Sequence, residues 1–126
     1  MRDNPDSVCF EVPRLFPTIN TLTRKHWSYR HNQVTLAGVE IMAEIMPTKL
    51  RTLRAWAECK LKVRVVMIIY HTKLYDPDNV YSAAKIPLDA LKSLRCIVDD
   101  SARWIDLVVT QHQAPEKRTK FEISRF

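Results

Sequence analysis

Cys59-Lys60-Leu61-Lys62-Val63-Arg64-Val65-Val66-Met67-Ile68-Ile69-Tyr70 marks the central strand of the chain. Apolar Cys59, Leu61, Val63 and Val65 alternate with Lys60, Lys62 and Arg64. A period of two belongs to a half-exposed strand, here with a cationic outer face. From Val66 to Tyr70 the chain is apolar throughout, which fits a strand end buried on both faces. The strand is expected over residues 56–70.

Outward from it, Tyr75-Asp76-Pro77-Asp78-Asn79 opens a long amphipathic stretch. Asp78 is suited to cap a helix. Val80, Ala83, Ala84, Pro87, Leu88, Leu91 and Leu94 follow the stripe of a core-facing helix. An interior proline costs about 3 kcal/mol. The helix is therefore expected to bend at Pro87, or to be two short helices with Pro87 as the first residue of the second. Asp99-Asp100-Ser101 reads as a turn, residues 104–109 and 121–123 as strands, and residues 113–120 as a polar, basic hairpin loop.

Upstream, residues 8–12 alternate and read as a first strand. Residues 14–31 read as a basic loop. A helix is expected from Asn32 or Thr35 to about Met46, ended by Pro47, with a basic connector over 49–54. The order β-α-β-α-β-β implies an α/β (α+β) fold, a small mixed sheet packed with two main helices. The 126 residues suit one domain over 1–126, with residues 1–7 as a flexible tail.

Composition narrows the class. No window approaches the ~18 uninterrupted apolar residues of a membrane span, so no membrane association is expected. Met1 to Ser7 is polar and acidic and is not expected to be a secretory signal. Cys9, Cys59 and Cys96 are odd in number and lack a Cys-x-x-Cys pair, which suits a reducing cytoplasm over a zinc site or disulfide framework. The net charge is +6. Residues 1–75 carry all of that excess, and residues 76–126 are neutral. Such a balance favours a polyanionic partner, nucleic acid above all.

Against that basic background, carboxylates gather at the two ends of the expected helix. In an extended segment, residues two apart face the same way, so Asp76 and Asp78 can reach one cation. A helix and a turn can return Asp100 to the strand end that the chain left. Mg²⁺ is held by one or two carboxylates with waters and phosphate oxygens, which points to a metal-dependent nuclease. The plainer reading is that Asp-Pro, Asp-Asn and Asp-Asp are turn and cap residues. Lys85 and Asp89, four apart, read either as an exposed ion pair or with Lys85 neutralising a phosphate.

The set Asp76-Pro77-Asp78-Asn79, Leu88-Asp89-Ala90-Leu91 and Val98-Asp99-Asp100 resembles the RusA family of Holliday-junction resolvases. Pro17, Asn20, Arg24, His26, Trp27 and Arg30 are similar to that family's N-terminal block. The resemblance implies a small α/β homodimer that binds four-way DNA junctions. It also implies paired, symmetric phosphodiester cleavage with Mg²⁺ or Mn²⁺, in recombination and repair, in a bacterial, phage or prophage setting. The family's essential carboxylates map onto Asp76, Asp78 and Asp100, with Asn79, Asp89 and Asp99 as accessory residues. The family's catalytic lysine, three residues after the asparagine, falls on Ser82 here. Lys85, one helical turn on, is the nearest replacement. Arg24, Lys25, His26, Arg30, Lys60, Lys62, Arg64, Lys117, Arg118 and Lys120 are the expected DNA contacts. Trp27 and Tyr29 are candidates to stack on unpaired bases. The alternatives are a DNA-binding protein of the same fold that has lost catalysis, or a nuclease acting on other branched DNA or on RNA.

Overall fold

In a computed structural model of the chain, residues 6–18, 21–22 and 25–126 are described. The frame is a four-stranded sheet built from β1 (Ser7–Val12), β2 (Val63–His71), β3 (Ile105–Gln113) and β4 (Arg118–Arg125), in the order β1-β4-β2-β3. β2 and β3 run parallel, whereas β4 is antiparallel to both β1 and β2, so the sheet is mixed. Of the seven residues read as a tail, 1–5 lie outside the described residues. Asp6 bonds Arg125 at 2.8 Å, and Ser7 opens β1.

The alternation read over residues 59–65 continues to the end of β2, so the strand end expected to be buried on both faces is buried on one only. Val63, Val65, Met67 and Ile69 are buried, while Arg64, Val66, Ile68 and Tyr70 stay partly or fully exposed. In β4, Phe121 and Ile123 are buried; in β1, so are Val8, Phe10 and Val12. These residues join Ala37, Ile41, Leu53, Ile86 and Leu91 from the helices in one core. The helices thus cover one face of the sheet and leave the other open.

Three main helices form, not two: α1 (Trp27–Glu44), α2 (Pro47–Glu58) and α4 (Lys85–Ser93), with a single turn α3 (Pro77–Val80) before the last. α1 begins earlier than Asn32 because His26 caps it: its Nδ1 accepts the Ser28 backbone N–H at 3.2 Å. Pro47 ends the first helix and also starts the second, at a position where its missing N–H costs nothing. The expected connector over 49–54 is therefore helical, and Leu50, Leu53 and Trp56 form its buried stripe. Strand structure begins at Val63, not at residue 56, because that stripe claims Trp56 first.

Pro87 sits in the first turn of α4, after a 3₁₀ turn over Tyr81–Ala84. First-turn N–H groups have no intrahelical partner, so the proline is accommodated without the interior penalty. The sheet order also removes the expected hairpin over 113–120. β3 and β4 flank β2 on opposite sides, and their connection crosses the end of β2, where the Ala114 N–H donates to the His71 carbonyl at 2.9 Å. Gly38, the chain's one glycine, lies inside α1, and a Cβ there would stand 3.9 Å from Leu94 Cδ2.

α2 and α4 end alike without glycine. The Leu61 N–H reaches the Trp56 carbonyl and the Lys60 N–H that of Ala57. Cys96 and Arg95 repeat the pattern on Leu91 and Lys92. Such double closures need a left-handed residue just past the helix, usually glycine. Here Lys60 (φ 57°) and Arg95 (φ 63°) adopt it, at about 1–2 kcal/mol each relative to the right-handed form.

Candidate functional site

The acidic stretch leaves β2 through a built support. Gln111 of β3 accepts the Tyr75 N–H at 2.8 Å and donates its amide to the Tyr75 carbonyl at 2.9 Å, so a side chain does the pairing that a further strand residue would do. Buried His71 places Nε2 3.3 Å from the same Gln111 oxygen, and its ring packs 4.6 Å from that of Tyr75. Burial pushes the Tyr75 phenol upward. Sequence reading missed Gln111 and His71. Both fall just past the strand bounds read from the sequence, 70 and 109, and their pairing depends on a register the sequence does not print.

Asp76, not Asp78, is the helix N-cap. Its carbonyl accepts the N–H groups of Asn79 (2.9 Å) and Val80 (3.1 Å), Pro77 occupies the first helical position, and Asp78 lies in the first turn. The two-residue spacing argued for an extended segment therefore does not apply, because Asp78 is already helical. Both side chains are exposed, and that of Asp76 is not spent on capping. Both stand at the helix end where negative charge is favoured. Among the described residues these are the only aspartates without a salt bridge; Asp6, Asp89, Asp99, Asp100 and Asp106 each have one. Asn79 turns to Ser82, whose hydroxyl donates to the Asn79 Oδ1 at 2.8 Å and to its carbonyl at 2.7 Å.

The remaining acids form a second group, laced with cations. Lys85 Nζ lies 3.2 Å from Asp100 and 3.6 Å from Asp89, so the ion pair read from the sequence exists and extends to a third residue. Arg30 of α1 bonds the other Asp89 oxygen at 2.9 Å. Asp99 accepts Lys92 at 2.9 Å and the Asp100 N–H at 2.8 Å. The Lys92 hydrogen bond holds the Asp99 carboxyl below its usual range, and the same bond raises Lys92.

Asp100 does not return to the strand end that the chain left. Parallel register sets Ile105 beside Val63, at the start of β2, whereas Asp76 follows its far end at His71. Asp100 accordingly lines a hollow with Lys62 and Asp106. Asp78 and Lys85 are seven residues apart across a segment that includes a 3₁₀ turn, roughly 10–12 Å of rise. Among the described residues no three His, Cys, Asp or Glu side chains stand together to hold a metal ion. Asp76 and Asp78 nevertheless present hard, uncommitted oxygens, the donor type that fits Mg²⁺ when waters and phosphate complete the shell.

The expected DNA contacts scatter. Arg24 lies outside the described residues, as does Asn20 of the N-terminal block. Arg64 pairs with Asp106 and Lys120 with Glu122; Arg118 pairs with Glu11 and stacks 3.8 Å from the Tyr70 ring. These three lie on the open face of the sheet, where their exposed pairs contribute about 0–1 kcal/mol each. Lys25 stands over the Tyr29 ring and Lys62 over Phe126, and Lys117 is exposed in the β3–β4 connection. His26 is occupied as the α1 cap. Trp27 is 75% exposed at the start of α1, and Tyr29 is partly buried against the core.

Scanned against models of known protein families, the chain matches none, and no curated protein matches it. No described helix is long and apolar enough to cross a membrane.

Proposed function

We propose that the chain is a Mg²⁺-dependent endonuclease of the RusA resolvase type, acting on four-way DNA junctions as a homodimer. The observation that carries this reading is the pair Asp76 and Asp78. In a chain of net charge +6, these two exposed carboxylates alone among the described aspartates go without a cation, on a loop pinned by Gln111. Uncommitted acid in a basic protein suits a ligand still to arrive.

In this proposal Asp76 and Asp78 hold the ion, with Mn²⁺ as a substitute. The bound metal would supply an activated water and stabilise charge on the phosphate. Lys85 sets its ammonium between Asp89 and Asp100 and donates to a phosphate oxygen, while Arg30 keeps Asp89 in place. Asp100, which the resemblance names as a ligand, enters here as a residue that positions Lys85. Lys25, Lys62 and Lys117 contact backbone phosphates. A two-fold dimer would present two such sites to strands of like polarity. The free thiols Cys9, Cys59 and Cys96 suit a reducing cytoplasm.

The rival, a DNA-binding protein of the same architecture without catalysis, draws its support from the Lys85–Asp100 bridge, which neutralises an acid the family uses. Incubating a synthetic four-way junction, a flap and a linear duplex with and without Mg²⁺ separates the readings. Paired nicks on the junction, dependent on Mg²⁺, are expected. Tight junction binding with no nicking in Mg²⁺ or Mn²⁺ would favour the rival. Nicking of the flap alone would replace the substrate.

A further inference from the structure

We propose that the cleft between the C-terminal ends of α2 and α4 is a phosphate-binding site. This goes beyond the nuclease reading and does not depend on it. The cleft is open to solvent and has a volume of about 620 Å³, within the usual span of ligand sites. Its lining carries Arg54, Lys60, Lys92 and Arg95 against a single acid, Glu58. Arg54 spends Nε on the Leu94 carbonyl at 3.0 Å, and Lys92 is held by Asp99. The side chains of Lys60 and Arg95 have no hydrogen bond or ion pair among the described residues.

Those two residues carry the argument. They are the only described non-glycine residues with positive φ, and both line this one cleft. Each closes a helix at a position where glycine is the easy residue and asparagine the next. The simple account is that cations complement the negative ends of helix dipoles. Any site in the last turn would serve that purpose without left-handed strain. Both cations instead sit at strained positions, unpaired and lining one cavity, so with Arg54 they offer an anion positive charge beyond what the negative helix ends take up. Phosphate, with several anionic oxygens, is a group that a set of Lys and Arg side chains lining one cleft can recognise. Asp99, bonded to Lys92 of the cleft and to the Asp100 N–H, joins the cleft to the Lys85 cluster.

Two sources of phosphate are possible: the backbone of a nucleic acid or a free phosphate compound. The full chain is tested as Lys60→Gly/Arg95→Gly and as Lys60→Asn/Arg95→Asn, beside a charge-matched control, Arg51→Ala/Lys73→Ala. Anisotropy of a labelled single-stranded oligonucleotide gives affinity across salt, and thermal melting is followed with and without inorganic pyrophosphate. Both cleft variants should bind the oligonucleotide about tenfold more weakly than the control, with the salt slope lower by about 1.4 for two lost contacts. The glycine variant should melt at a higher temperature than the parent. If pyrophosphate raises the melting point of the parent but not of the variants, the source includes free phosphate compounds. Loss confined to the oligonucleotide assigns the site to nucleic-acid backbone. A higher melting point with oligonucleotide affinity and pyrophosphate response equal to the control would overturn the proposal and leave the two cations as helix caps. Absence of DNA cleavage by the parent would sink the nuclease reading and leave these binding results standing.

Discussion

Two groups of aspartates border the same helical segment and differ in their electrostatic circumstances. Asp76 and Asp78 lie at its start, exposed, without a cation, on a loop that Gln111 fixes from both sides. Asp89, Asp99 and Asp100 lie along its end and just beyond, each joined to Lys85, Arg30 or Lys92. The carboxylates of the second group are paired with cations, and those of the first are not. Motif order alone treats all five acids as one constellation; the salt bridges divide them.

The sharpest way to break this contrast is to neutralise one acid on each side. Asp78→Asn should lower Mg²⁺-dependent junction cleavage by about 10²-fold or more, with junction affinity unchanged in a gel-shift assay. Cleavage within a few-fold of the parent would remove the metal assignment. Lys85→Met should come next, with a loss of about tenfold in cleavage rate. It also tests the second group, because it leaves Asp89 with Arg30 alone and Asp100 with no ion pair. If the rate instead rises as Asp100 is released, the lysine is an inhibitor of a three-acid site and the division drawn here fails.

Gln111→Ala tests the support beneath the first group. It removes two hydrogen bonds to the Tyr75 backbone and should cost about 1–3 kcal/mol in chemical denaturation. Cleavage should fall in the folded variant because Asp76 loses its fixed approach. A stability change near zero would show that the loop is held by other means.

The smallest effect belongs to the Lys92–Asp99 pair. The Asp99 carboxyl is held below its ordinary 3.8 and Lys92 above 10.5. The carboxylate's contribution is present above 3.8 and is lost as pH falls through the lower folded value. The ammonium's is present below 10.5 and is lost as pH rises through the higher folded value. Asp99→Asn should therefore leave stability slightly less pH-dependent at both extremes, by no more than an exposed pair allows. Melting curves from acid to alkaline pH check this, and a large loss at neutral pH would show a structural role not visible in its contacts.

How far the residues themselves announced these features varied with how local each feature is. The strands at 8–12, 63–70 and 105–109 and the stripe from Val80 to Leu91 were legible because burial imposes a period on nearby residues. The second helix was hidden because Lys49, Arg51 and Arg54 interrupt the thin stripe of Leu50, Leu53 and Trp56, and because Pro47 both stops and starts a helix. Helix ends closed by Lys60 and Arg95 gave no signal, since turn reading leans on glycine. The candidate acids could be named from the sequence. Their grouping could not, because parallel pairing of β2 with β3 decides where Asp100 stands, and register is a property of the whole sheet.

Paramagnetic broadening by Mn²⁺ in an amide NMR spectrum of the DNA-free protein tests the central contrast most directly. Substoichiometric Mn²⁺ should erase the amide signals of Asp78, Asn79 and Val80 first, and Asp78→Asn should protect them. Broadening centred on Asp99 and Asp100, or spread evenly over every exposed carboxylate, would contradict the account.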